Sequence, residues 1–153
     1  MYRRLIILVP ALIAMLTACE QQDSLERIRS DGELTVITRN SPTTYYQDKE
    51  GADGFEYALA GLFAEELGVR LKVETAFDLD GIFHRLERGE ADLAAAGLTL
   101  TETRQAHFPH SQAYFRLTPQ VVYLAGTYRP RKLEDLPGMS IVVLAGSSHA
   151  QSL

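Results

Sequence analysis

Asp53-Gly-Phe-Glu-Tyr-Ala-Leu-Ala-Gly-Leu-Phe-Ala-Glu-Glu-Leu-Gly68 runs directly into Val69-Arg-Leu-Lys-Val-Glu-Thr75, and the fold turns on this stretch. Its first part opens with an acidic residue and a glutamate three positions on, a pattern that satisfies the free donors of a helix start. Phe55, Leu59, Leu62, Phe63 and Leu67 then recur at helical spacing, which predicts one apolar face, and Gly68 supplies the left-handed residue that ends a helix. Leu71 to Thr75 alternates apolar and polar side chains as a strand does. A helix feeding a strand across a single glycine joint is half of a β-α-β unit.

Working outward, the same logic repeats on both sides. Downstream, Asp78 to Arg88 predicts a second helix with Ile82, Phe83 and Leu86 inward and Gly89 as its stop. Ala91 to Ala96 is a short small-residue strand of the kind buried on both faces of a parallel sheet. Upstream, Ser24 to Ser30 predicts a short helix stopped by Gly32, and Leu34-Thr-Val-Ile-Thr38 is a β-branched strand. Strand, helix, strand, helix, strand with short joints is the signature of right-handed β-α-β units, hence an α/β fold with a mostly parallel sheet flanked by helices. Asn40 to Gly51 and Leu98 to Ala113 read as loops, Thr118 to Ala125 and Ser140 to Leu144 as strands, and Ala145 to His149 as a turn into a helix. Gly126 to Pro137, rich in glycine, proline and charge, fits a hinge.

Composition narrows the function. With 46% apolar residues and mixed charge the chain has material for a core, so it is not a disordered polypeptide. Its net charge of -5, without a basic stripe, excludes a nucleic-acid partner. Cys19 is the only cysteine, so there is no intrachain disulfide. Arg3 and Arg4 precede the apolar run Leu5 to Leu16, which is too short to cross a bilayer core of about 30 Å and has the length of an export signal. Leu16-Thr-Ala-Cys19 resembles the lipobox of bacterial lipoproteins. That resemblance implies a signal peptide over residues 1–18, an acylated Cys19 and a tether over 19–24. Glu20 after the cysteine then implies the periplasmic face of the outer membrane in a Gram-negative cell.

In open parallel sheets, ligands bind beyond the carboxyl ends of the strands. Three segments fall there: Ser41 to Tyr46, Thr99 to Arg104, and Gly146 to Ser148. Arg104 is the leading candidate, because a planar guanidinium grips a carboxylate through two parallel hydrogen bonds. Thr99 adds a hydroxyl, Gly97 permits close backbone approach, Tyr45 and Tyr46 offer apolar faces, and Ser147 and Ser148 are helix-start groups suited to an anion. Spacing alone leaves the alternatives open: an arginine after one strand is more often a surface ion pair, and tyrosines are more often packing. No metal site or cofactor is expected. His84, His107, His110 and His149 share no ligand spacing, the serines have no visible base, and Glu65-Glu66 and the Glu87, Glu90, Asp92 group read as solvated helix ends, not a glycosidase pair. The glycines form no nucleotide fingerprint.

Gly97-Leu-Thr-Leu-Thr-Glu-Thr-Arg104, preceded by Gly89-Glu-Ala-Asp-Leu93 and followed by Ser111-Gln-Ala-Tyr114, resembles the core motif of periplasmic solute-binding proteins of the amino-acid-binding type. Gly54-Phe-Glu-Tyr-Ala-Leu-Ala60, Ala94-Ala-Ala-Gly-Leu98, Tyr128-Arg-Pro-Arg131, Leu133-Glu-Asp-Leu136 and Val143-Leu-Ala-Gly-Ser-Ser-His149 are closer still to the membrane-bound lytic murein transglycosylase F family. The resemblance implies a periplasmic-binding-protein type II lobe over residues 25–125, a hinge over 126–138, and over 139–153 the start of a second lobe that is incomplete. It implies that Thr99 and Arg104 grip a ligand carboxylate, and that the ligand is a small cell-wall fragment or an amino acid. It also implies a peptidoglycan-cutting module elsewhere, with a single catalytic glutamate. No glutamate here stands in the Glu-Ser context of that module, so no catalytic residue is expected in this chain. Leu79 stands where amino-acid receptors often place an aromatic platform, and the acidic partner for a ligand amine would lie beyond Leu153. The alternative implied by the broader resemblance is an amino-acid-binding lipoprotein that serves a transporter.

Overall fold

The computed structural model describes residues 23–152, and the proposed signal, lipobox and Cys19 lie outside them. Helix α1, Ser24–Asp31, starts under Asp23, whose carboxylate accepts the Leu25 N–H, and ends at Gly32 in the left-handed conformation. Strand β1, Glu33–Thr38, follows, then the hairpin strands β2, Tyr46–Asp48, and β3, Gly51–Asp53. Helix α2, Phe55–Leu67, leads through Gly68 into β4, Arg70–Thr75. Helix α3, Leu79–Glu87, capped by the Asp78 side chain on Gly81 N–H, leads into β5, Leu93–Ala94. The short helix α4, Glu102–His107, comes next, and α5, Ser148–Ser152, lies near the end.

The sheet has the order β4-β1-β5, all parallel, with Leu34 opposite Leu71, Val36 opposite Val73 and Leu93, and Ile37 opposite Ala94. This is the α/β arrangement expected from the alternation of strands and helices. Because β1 is central, both its faces are buried and its two sides serve two cores. Leu34 and Val36 pack with Ile28, Ala60 and Ala64. Ile37 packs on the other side with Leu79, Ile82, Ala91 and Ala96. Leu79 is thus a core residue under the sheet.

Several local expectations are corrected. The inward face of α2 is Glu56, Ala60 and Ala64, whereas Phe55 and Leu62 are largely exposed, at 57% and 64%. Small side chains let the helix axis approach the sheet closely, and that close seat outweighs burying the larger apolar residues on the adjoining faces. Asp53 does not cap α2: the N-cap is Gly54, without a side-chain bond, and Asp53 instead accepts from Tyr46 Oη at 2.8 Å. Gly54 has φ 136°, and a Cβ there would sit 2.3 Å from the Thr44 carbonyl oxygen, so only glycine fits. The Asn40 to Gly51 stretch is not simply a loop, since Asp48 accepts from the Glu50 and Gly51 N–H groups and turns β2 into β3. Asp92 is no solvated helix end. Its carboxylate, 6% exposed, accepts from Thr35 N at 2.8 Å and from Arg27, locking α1 to the sheet.

The expected strands at 118–125 and 140–144 are absent among the described residues, where both segments run as unpaired chain. A strand exists only by pairing. Pro119 removes a donor, and no neighbour offers a ladder, so Val122 and Val142 are each 94% exposed. No helix among the described residues is long and apolar enough to cross a membrane.

Candidate functional site

The carboxyl ends of β1 and β5 lie side by side, and the backbone that leaves them builds the candidate site. Thr38 at the tip of β1 donates its hydroxyl to the Ala95 carbonyl beyond β5, which ties the two tips together. The chain then passes through Gly97 to Thr99 and into α4, whose N-cap Thr101 accepts the Arg104 N–H at 3.4 Å. That cap sets α4 so that Arg104 reaches back over the strand ends.

The Arg104 guanidinium donates from Nη1 to the Thr99 carbonyl at 2.9 Å and from Nη2 to the Gly146 carbonyl at 3.0 Å. Its carbon lies 4.9 Å from the centre of the Phe83 ring, a cation–π stack onto α3, and Phe83 is backed by Phe108 at 5.2 Å. Both acceptors are neutral carbonyls. The positive charge is therefore held in place without being neutralised, and partial burial lowers the pKa of the group from its ordinary value. The surface ion pair that spacing alone left open is not what forms: no carboxylate among the described residues pairs with Arg104. The Ser148 hydroxyl donates to Thr99 Oγ1 at 3.0 Å, so the Thr99 hydroxyl still has its own proton to donate. Ser147 is buried and its Oγ accepts the Ala150 N–H at 3.3 Å, as a helix-start group does.

Thr99, Arg104, Gly146 and Ser148 thus converge from segments more than forty residues apart in sequence. Tyr45 and Tyr46 do not join them. Tyr45 packs edge-on against Tyr57 at 5.6 Å, and Tyr46 is spent on Asp53, a bond that holds the tyrosine pKa up, while the Gly54 N–H and then the Tyr46 hydroxyl hold the aspartate pKa down. Gly97 is at the site with φ 63°, where a Cβ would meet Arg39 Nη2 at 3.2 Å.

Two groups were missed by the sequence reading. Glu56, buried on the inner face of α2, accepts the Gly97 N–H at 2.8 Å and the Tyr114 hydroxyl, and so fixes the loop that leaves β5. Burial of the Tyr114 hydroxyl and the adjoining Glu56 carboxylate push the phenol well above its usual range. Arg39 leaves the tip of β1 beside Gly97, and its Nε is buried without a partner among the described residues. The signal for Arg39 was its place one residue past a central strand. Glu56 gave none, because a glutamate on a helix face reads as solvated. The histidines are scattered: His107 Nδ1 is bonded to the Thr103 carbonyl at 2.7 Å, and His84 lies beside Glu87.

The model of bacterial extracellular solute-binding proteins, family 3, matches residues 34–132, which hold all of the parallel sheet but its first residue, and the Thr99 to Arg104 segment. The chain belongs to that family. The chain is also 48% identical over 149 residues to membrane-bound lytic murein transglycosylase F of Pseudomonas fluorescens, covering 96% of this chain and 31% of that protein. The protein of the same name from Ectopseudomonas mendocina is 50% identical over 147 residues, covering 92% and 30%. The chain spans about a third of the length of these curated relatives. Among solved structures, the arginine-bound domain 1 of ArgBP from T. maritima is 32% identical with a TM-score of 0.56, covering 60% of this chain and 71% of that one. An ancestral cationic amino acid solute-binding protein is 33% identical at a TM-score of 0.50, covering 55% and 37%. The fold is accordingly a periplasmic-binding-protein type II lobe, and it covers such a domain only in part.

Proposed function

We propose that this family 3 lobe is one jaw of a cleft for an acidic small molecule derived from the cell wall, and that it acts as the regulatory binding part of a lipid-anchored murein lytic transglycosylase. The observation that carries the reading is the convergence of Arg104, Thr99 and Ser148 at the strand tips, with a guanidinium that meets only neutral acceptors. An incoming carboxylate exchanges those carbonyls for a charge-assisted, bidentate pair. Thr99 donates its hydroxyl to the same group. Kinship with the transglycosylases supports a peptidoglycan-derived ligand, probed first with its peptide part.

In this reading residues 25–125 form the first lobe, 126–138 the hinge and 139–153 the start of the second lobe. Gly126 and Gly138, both at positive φ, bracket the hinge. Cys19 carries the lipid, placing the lobe at the periplasmic face of the outer membrane, and the glycan-cutting glutamate lies in a module outside this chain. The second reading is a transport receptor for free amino acids, favoured by the likeness to arginine-bound ArgBP.

Calorimetric titration separates the two. Soluble muropeptides should bind and free arginine should not, and Arg104→Ala should lower muropeptide affinity at least about a hundredfold with the cooperative fold retained, the worth of two charge-assisted hydrogen bonds. Unchanged affinity in Arg104→Ala removes that residue from the site, and tight arginine binding favours the receptor.

A further inference from the structure

Five arginines lie between β1 and the end of α4, and they divide into two groups. Arg70 pairs with Glu33 at 3.0 Å, Arg85 with Glu74, and Arg88 with Glu90 at 2.6 Å, so each of these is neutralised by a carboxylate of the fold. Arg39 and Arg104 have no such partner among the described residues, and both stand at the carboxyl tips of the sheet. Arg104 donates into one side of the Gly97 to Thr99 segment, through the Thr99 carbonyl. Arg39 reaches the same segment at Gly97, where its Nη2 lies 3.2 Å from the place a Cβ would occupy.

The position of Arg39 is fixed by its own loop. Its carbonyl accepts the Thr44 hydroxyl at 2.6 Å, Thr44 is fully buried, and Ser41 bonds to Thr44 and to the Tyr45 carbonyl. A rigid backbone therefore presents a guanidinium whose Nε is buried and unbonded among the described residues. Leaving a buried donor of a charged group unpaired is costly, and the fold supplies no acid to relieve it. A ligand would.

We propose that Arg39 forms a second anion subsite beside Arg104, so that the ligand is a dianion: a small molecule, such as an acidic dipeptide, with two carboxylates that straddle the Gly97 to Thr99 segment. This rests on the reading of the strand tips as an acid-binding jaw, and it adds that a single carboxylate fills only half of the positive charge there. It also gives Gly97 a purpose, since any side chain at that position would press on the Arg39 guanidinium.

The test is calorimetric titration of the full chain with two dipeptides, alanyl-glutamate and alanyl-glutamine, which differ by one carboxylate and little in shape. The unaltered protein should bind alanyl-glutamate at least about tenfold more tightly, the worth of one charge-assisted hydrogen bond. Arg39→Gln should bind both peptides alike, Arg39→Lys should keep the preference, and Arg104→Gln should weaken both. Equal affinity of the unaltered protein for the two peptides overturns the second subsite and leaves the Arg104 jaw standing. Binding of neither peptide overturns the jaw as well. A preference that survives in a normally melting Arg39→Gln overturns the assignment to Arg39, and the comparison of the two peptides on the unaltered protein holds even where that variant does not fold.

Discussion

Replacing Glu56 tests whether a buried carboxylate organises the loop that carries the site. Its two oxygens accept from the Gly97 N–H and the Tyr114 hydroxyl, and the residue is 5% exposed. Glu56→Ala leaves the Gly97 donor without an acceptor in a dry place, which costs about 1–3 kcal/mol. It also removes one buried methylene, Cγ, at roughly 0.8 kcal/mol. The partly buried Tyr114 hydroxyl also loses its acceptor, and water reaching it offsets part of that loss. The sum is about 3 kcal/mol. Glu56→Gln behaves differently, because the amide oxygen still accepts from Gly97 and the amide nitrogen donates to the tyrosine oxygen, whose own proton rotates away. Only the charge assistance is lost, about 1 kcal/mol. With a urea slope of about 1.5 kcal/mol per M, the midpoint should fall by about 2 M in the alanine variant and by less than about 1 M in the glutamine variant. Amide exchange should show Gly97 deprotected in the first and protected in the second. Equal losses in the two variants would refute the reasoning, because they would mean that charge, not the pairing of two donors, is what Glu56 supplies.

Gly54→Ala should be far more damaging than Gly32→Ala, although both glycines have positive φ. The Gly54 Cβ would overlap the Thr44 carbonyl at 2.3 Å, whereas nothing lies within 4 Å at Gly32. Thermal unfolding should show a loss of more than about 3 kcal/mol against about 1 kcal/mol. Tyr114 gives the pH dependence: burial and the Glu56 carboxylate raise its pKa in the folded chain, so the folded state holds the phenolic proton after the unfolded chain has released it. The stability tied to this group is complete below the ordinary tyrosine value of about 10 and declines as pH rises above it. An ultraviolet phenolate titration of the folded protein should show one tyrosine titrating late, and the delay should shrink in Glu56→Gln. All tyrosines titrating together would contradict the contact.

Much of the fold was legible because its signals are local. Gly32 and Gly68 stop their helices where the left-handed conformation demands glycine, and Asp78 caps its helix through its own side chain. The β-branched run at 34–38 is the central strand, and the small residues before Gly97 belong to the neighbouring strand tip. Of the candidate site, Thr99 and Arg104 follow from their place beyond the β5 tip, whereas Ser148 follows no strand in the structure and joins them through its bond to Thr99. Tyr45 and Tyr46 likewise lie beyond a strand tip, that of β1, but are consumed by Tyr57 and Asp53, partners that spacing does not reveal.

Sequence by itself determined the order and type of the helices and parallel strands from α1 to β5, though not the β2–β3 hairpin or α4, because caps, glycine stops and side-chain periods act over a few residues. Only the tertiary structure decided which face of α2 is inside, that Glu56 is a buried acceptor and that Arg39 stands beside Gly97. It also decided that 118–125 finds no strand to pair with. The reason is that a helical period defines faces without naming the surface that will meet them. Close approach then rewards Ala60 and Ala64 over Phe55 and Leu62, and a strand, a buried charge or an anion site exists only through partners distant along the chain.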